Sequence, residues 1–158
     1  MKTLITYYSY TGITEKVIAI FKEVLEKKSE LKIQRLKPKK EITSFLAQCM
    51  AARSKKRCEI EEALFDASSF DTVIIGLPVW AFAPVPTINT YLDKVTGLSN
   101  KKVIVLLTSG SGAGVKMCFK YIRGILSAKG VPNINEINIP NARMKEIDFI
   151  RSSIEKAL

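Results

Sequence analysis

The chain predicts an α/β fold: a doubly wound, mostly parallel five-stranded sheet with helices on both faces. Three observations predict it. Thr72–Leu77 (TVIIGL) and Lys102–Leu107 (KVIVLL) are continuous apolar runs of strand length, as expected of strands covered on both faces. Between and around them, apolar residues recur at helical spacing, so that strands and helices alternate from one end to the other. No internal repeat, low-complexity tract or long linker divides the 158 residues, which are therefore expected to form a single domain, residues 1–158.

The elements follow in order. Lys2–Tyr8 (KTLITYY) is a β-branched and aromatic run and reads as the first strand. From Glu15 to Lys28, Val17, Ile18, Phe21, Val24 and Leu25 share one face of a helix. Leu31–Leu36 (LKIQRL) alternates apolar and polar as a half-buried second strand does. Ile42, Phe45, Leu46, Cys49 and Met50 then fall at i, i+3, i+4, i+7 and i+8, an amphipathic helix. After the third strand, Pro86 opens a helix striped by Ile88, Tyr91, Leu92 and Val95. After the fourth, Val115, Cys118, Phe119, Ile122 and Leu126 stripe another. Asn135–Ile139 (NEINI) alternates weakly as a fifth strand, and Ile147, Ile150, Ile154 and Leu158 mark a terminal helix.

In such sheets ligands bind beyond the carboxyl ends of the strands, where strand order reverses. Three loops of this chain reach that edge. Ser9-Tyr10-Thr11-Gly12-Ile13-Thr14 joins the first strand to the first helix, so unpaired helix N–H groups, a helix dipole and three hydroxyls point into one turn. This is an oxyanion cradle, or a capped helix start in which Thr14 caps and Gly12 turns. Pro78-Val79-Trp80-Ala81-Phe82-Ala83-Pro84 follows the third strand and carries the only tryptophan, a flat ring able to stack on a flat ligand or to cap the end of the core. Thr108-Ser109-Gly110-Ser111-Gly112-Ala113-Gly114 follows the fourth and offers backbone N–H groups with close approach.

Composition narrows the chemistry. With no histidine, and three cysteines (Cys49, Cys58, Cys118) in no C-x-x-C pair, zinc sites and histidine-dependent triads are excluded, and no metal site is expected. No apolar stretch approaches the roughly 20 residues of a membrane span. The first residues lack the pattern of a signal peptide, and a cytoplasmic protein with reduced thiols is expected.

These residues resemble the flavodoxin family over almost the whole chain. Ser9-x-Thr11-Gly12-x-Thr14 is similar to the family's FMN-phosphate loop, and Gly76-x-Pro78-Val79-Trp80 to its isoalloxazine-flanking loop. Thr108–Gly114 resembles the third loop of a glycine-rich subgroup. The resemblance implies non-covalent FMN and sheet order 2-1-3-4-5. It places the phosphate on Ser9, Tyr10, Thr11, Gly12, Ile13 and Thr14. The ring system falls to Pro78, Val79, Trp80, Ala81 and Phe82 and to Ser109, Gly110, Ser111, Gly112 and Gly114. A receiver-domain reading of the same topology fails, because Tyr7 and Tyr8 stand where it needs acidic residues.

Two departures bear on function. The third loop has no aromatic residue, whereas many electron-transfer flavodoxins place a tyrosine there. One flavin face is then either open to a nicotinamide or quinone, or covered by something outside this loop. The net charge is +10, where electron-transfer flavodoxins are typically acidic. Lys37, Lys39, Lys40, Arg53, Lys55, Lys56 and Arg57 are opposed between residues 37 and 57 by Glu41 alone. This segment is either a solvated face or a surface for an acidic redox partner protein, an anionic membrane surface or nucleic acid. No helix-turn-helix or aromatic RNA-binding signature accompanies it, so no specific nucleic acid is expected. No catalytic residue is assigned, since the cofactor carries the chemistry. The expected function is electron transfer between redox partners, and the alternative is an NAD(P)H-dependent FMN oxidoreductase of quinone-reductase type.

Overall fold

Period-two alternation in the central strands sorts their side chains onto two faces of one sheet, and this sorting builds two cores. The computed structural model describes residues 1–158, with strands β1 (Lys2–Tyr7), β2 (Glu30–Arg35), β3 (Thr72–Pro78), β4 (Lys102–Ser109) and β5 (Asn133–Pro140). All are parallel, in the expected order β2-β1-β3-β4-β5. Helices α1 (Ile13–Leu25) and α5 (Ile147–Ala157) cover one face. On the other lie α2 (Phe45–Arg53), α3 (Pro86–Lys94) and α4 (Val115–Ala128).

Leu4, Val73, Ile75, Leu77, Val103, Val105 and Leu107 point into the core beneath α3 and α4. Their neighbours Ile5, Ile74, Ile104 and Leu106 point the other way, under α1 and α5. The four stripe residues of α3 (Ile88, Tyr91, Leu92 and Val95) are buried. Gln34 ties the interior together: its Nε2 donates to Thr6 Oγ1 (2.8 Å) and Leu64 O (2.9 Å), while its Oε1 accepts from Leu64 N (2.8 Å). Thr6 Oγ1 in turn donates to the hydroxyl of fully buried Tyr91 (3.2 Å). Buried polar groups paired in this way select one packing of the layer.

The stripe Ile42, Phe45, Leu46, Met50 faces outward: Phe45, Leu46 and Met50 are 59, 70 and 63% exposed, and only Cys49 is half-buried. The inward face of α2 is instead Gln48, Ala51 and Ala52. The two alanines let this short helix lie close to the layer below. The Gln48 amide donates back to Ile42 O, and Ser44 Oγ accepts from Ala47 N (3.4 Å) to cap the helix. After α2, residues 56–58 run over α3. Asn89 Nδ2 donates to Lys56 O (3.1 Å), Thr90 Oγ1 accepts from Cys58 N (3.1 Å), and Arg57 holds Asp93 at 2.7 and 3.0 Å. This strap leaves α3 buried on both sides. No helix is long and apolar enough to cross a membrane.

Candidate flavin site

Three loops converge at the carboxyl edge of the sheet on a cleft of about 540 Å³, a volume in the range of small-molecule sites. Ser9, Tyr10, Thr11, Ile13 and Thr14 line it from the first loop, and Pro78 to Phe82 from the second. Ser109, Gly110 and Ser111 line it from the third. Gly12, Gly112 and Gly114 shape the loops from behind rather than line the cleft.

The first loop is a set of donors. Gly12 sits in the left-handed region (φ +83°) as the residue before α1, which turns the chain so that the helix start faces the cleft. The N–H groups of Tyr10, Thr11, Gly12, Ile13 and Thr14 meet no acceptor within the protein, and Glu15 N reaches Ser9 Oγ at 3.4 Å. Thr14 is buried and shares a 2.8 Å hydrogen bond with Thr108 Oγ1, tying the first loop to β4. On the outer side, Arg35 donates to Ser9 O (3.0 Å) and pairs with Glu15 (3.3 Å). Tyr7 donates to the same carboxylate (3.1 Å), and burial followed by this bond pushes its hydroxyl pKa up. Backbone donors at a helix start, with hydroxyls beside them, fit the phosphate of FMN.

The second loop is a tight hairpin. Trp80 N donates to Ala83 O (3.2 Å) and Ala83 N to Trp80 O (3.0 Å). The two residues between, Ala81 (φ +44°) and Phe82 (φ +70°), occupy a region that non-glycine residues seldom adopt. Such a turn costs on the order of 1–3 kcal/mol per strained residue and persists where surrounding contacts enforce it. Here the enforcing contact is with the third loop: Gly114 (φ +79°) lies directly under Phe82, so close that a Cβ there would sit 2.6 Å from Phe82 Cα. Val79 N also donates to Thr108 O (2.9 Å).

Trp80 is 9% exposed and boxed edge-on by three rings: Tyr8 at 6.0 Å, Tyr10 at 5.5 Å and Phe45 at 5.9 Å between centroids. Burial pushes the Tyr8 hydroxyl up to about 12, so it stays protonated and neutral beside the ring cluster. Among the cleft residues the aromatics are Tyr10, Phe45, Trp80 and Phe82, and none comes from the third loop.

Thr108 and Ala113 join the lining from the third loop, and two further cleft residues, Phe45 and Asn141, lie outside the three loops. Phe45 belongs to the amphipathic stripe of α2, and periodicity cannot tell which side of such a helix meets the core. Asn141 follows β5, and the rule that ligands sit beyond the strand ends extends to that fourth loop as well.

The comparisons agree with this geometry. The family described as Flavodoxin matches residues 2–148. A Bacteroides uniformis protein described as a flavoprotein superposes with TM-score 0.76 at 22% identity, over 98% of this chain and 97% of that one. Oxidised flavodoxin 1 from Bacillus cereus superposes with TM-score 0.62 at 13% identity, over 100% and 99%. In sequence, the chain is 24% identical over 134 residues to an FMN-dependent NADH:quinone oxidoreductase of Brevibacillus brevis. That match covers 69% of this chain and 64% of the relative, so the chain spans less than two thirds of the length of the curated relative it matches. By the match along residues 2–148, the chain belongs to the flavodoxin family.

Proposed function

We propose that this chain is a cytoplasmic flavoprotein of one domain, residues 1–158, that holds FMN in the cleft and carries electrons between redox partners. The observation that carries the reading is the row of unsatisfied N–H groups from Tyr10 to Thr14 in the same cleft as Trp80. When bound, FMN supplies the redox chemistry, and the protein supplies position and field. The first loop grips the phosphate through Ser9, Tyr10, Thr11, Gly12, Ile13 and Thr14. Pro78 to Phe82 and Ser109 to Gly114 flank the ring system, and the free N–H groups of Ala81, Phe82, Gly110 and Ser111 are donors for its polar edge.

Titration of apoprotein with FMN, followed by flavin fluorescence, tests the reading: saturable quenching at micromolar FMN or below is expected. Thr11 distinguishes phosphate from ring, because its hydroxyl is exposed and has no partner in the protein, whereas that of Thr14 is shared with Thr108. Thr11→Ala should weaken FMN about tenfold, as loss of a hydrogen bond to a charged group costs roughly 1.5–3 kcal/mol. Riboflavin, lacking the phosphate, should bind both proteins alike. Equal losses for the two ligands would refute phosphate recognition by this loop.

A second reading, an NAD(P)H-dependent FMN oxidoreductase acting on a quinone or similar acceptor, is favoured by one observation. The third loop exposes Gly110, Ser111, Gly112 and Ala113 and brings no ring to the cleft, which leaves that side open for a flat co-substrate. Steady-state oxidation of NADH and NADPH, with and without a quinone, separates the two. Turnover that saturates in both substrates establishes the oxidoreductase, and its absence in FMN-loaded protein leaves the carrier.

A further inference from the structure

Two residues on opposite walls of one surface trough stand against their local conformational preference. Lys55 follows the end of α2 at a position with φ +51°. The helix closes there with Lys56 N donating to Ala51 O (3.0 Å) and Lys55 N to Ala52 O (2.8 Å), a geometry that favours glycine at residue 55. Lysine stands there instead, and its Nζ lies 4.5 Å from the centroid of the Tyr121 ring on α4. One turn further along α4 is Gly124, in a helix interior where alanine would be more stable. A Cβ at Gly124 would meet no atom within 4 Å, so no contact inside the chain accounts for the glycine. Departures from local preference with no internal compensation mark functional surface.

The trough between them is lined by Lys55, Met117, Lys120, Tyr121, Gly124 and Ile125 and has a volume of about 540 Å³. Its floor is apolar and its rim cationic. α4 contains no acidic residue. Arg53, Lys55, Lys56, Lys116 and Lys120 have no carboxylate within 4.0 Å, whereas nearby Arg57 and Arg123 are neutralised by Asp93 and Glu136. The structure thus divides the basic cluster seen in the sequence. Lys39 and Arg57 are paired, Lys37 and Lys40 are unpaired but line other clefts, and at this trough the unpaired Lys55 meets Lys120 of α4.

We propose that this trough docks an acidic segment of a redox partner protein. One apolar side chain of the partner seats over Gly124 between Met117 and Tyr121, and its carboxylates meet Lys55 and Lys120. The assignment rests on the electron-carrier reading, and the trough starts at Met117 in the first turn of α4, the helix that follows the Ser109–Gly114 loop. The occupant follows from shape and charge. A bilayer surface takes a protruding apolar face, and this floor is recessed between charged walls. A second copy would bring the same cations, on a chain of net charge +10.

The test titrates isotope-labelled, FMN-loaded protein with a synthetic acidic peptide, glutamates flanking a single leucine, and follows amide shifts. Shifts should centre on Lys55 and on residues 117–125, and affinity should fall about tenfold between ~50 and ~300 mM salt. Gly124→Trp, which fills the floor, and Lys120→Glu should each weaken the peptide about tenfold, while Lys22→Glu on the opposite layer changes nothing. Gly124→Ala should raise Tm by about 2–4 °C, since the glycine serves the partner and not the fold. The same titration of apoprotein separates the two readings: peptide binding without FMN binding retains the trough and sinks the flavin site. Absent or scattered shifts, or equal shifts from a lysine peptide or inorganic phosphate, would overturn the proposal. Co-sedimentation with phosphatidylglycerol vesicles without peptide binding, or a dimer abolished by Gly124→Trp, would overturn it in favour of a bilayer or a second copy.

Discussion

Gly114→Ala should lower FMN affinity at least about thirtyfold, although residue 114 does not itself line the cleft. Two costs combine at this position. The backbone is left-handed at φ +79°, and the added Cβ would lie 2.5–2.8 Å from Cδ1, Cα and Cγ of Phe82. The first cost is on the order of 1–3 kcal/mol, and forcing apart a packed contact adds about 1–3 kcal/mol more. A total of about 2–6 kcal/mol corresponds to thirtyfold or more in an equilibrium constant. Phe82 cannot step aside cheaply, because its own φ of +70° and the paired hydrogen bonds between Trp80 and Ala83 hold the hairpin in one shape. The loss should therefore reach the cleft through both loops. Gly112→Ala is the control: its φ is +78°, but a Cβ there meets nothing within 4 Å, so only the conformational cost of about 1–2 kcal/mol applies and a loss below about thirtyfold is expected. Fluorescence titration of both variants decides the matter. Equal losses would show that the Phe82 contact is irrelevant to the site.

The contrast between these two glycines also shows what the sequence could carry. The loop Ser109–Gly114 is legible as a flexible, donor-rich turn at the end of a strand, because glycine and serine have few other uses there. Which glycine lies beneath Phe82 depends on a contact between residues far apart in the chain, and no local pattern encodes it. The strands were legible for a related reason. Val73, Ile74, Ile75, Val103, Ile104 and Val105 are buried on both faces of the sheet, so composition alone marks them. α2 was not. Ile42, Phe45, Leu46 and Met50 have helical periodicity, yet that pattern is the same whether the stripe meets a core or a partner. Two alanines and the Gln48 amide decided the orientation instead. The basic segment behaved likewise. Its charge is plain in the sequence, but the pairing of Arg57 with Asp93 and the placement of Lys55 over Tyr121 come only from folding. Gly124 already lies inside the helix striped from Val115 to Leu126, whereas the positive φ of Lys55 became visible only with the backbone in hand.

Trp80→Ala should be the most damaging single change around the cleft, and it should act on stability and on binding at once. Trp80 is buried and packs edge-on against Tyr8, Tyr10 and Phe45, which come from the end of β1, the first loop and α2. Removing so large a side chain from a packed position costs about 3–5 kcal/mol, and the aromatic pairs it forms are worth roughly 0.5–1.5 kcal/mol each beyond their burial. The apoprotein's denaturation midpoint should fall accordingly. FMN affinity, measured well below that midpoint, should fall about tenfold or more, because Tyr10 and Phe45 lose the ring that positions them. Phe45→Ala separates the two effects. That side chain is 59% exposed, so its loss should change stability by about 1 kcal/mol or less while still opening one wall of the cleft. A ratio of effects that is the same in both variants would mean that the aromatic box is merely core. If Phe45→Ala weakens FMN at nearly native stability, the exposed ring on α2 belongs to the site. The outward turn of that helix then has a function, because it brings Phe45 to the wall of the cleft.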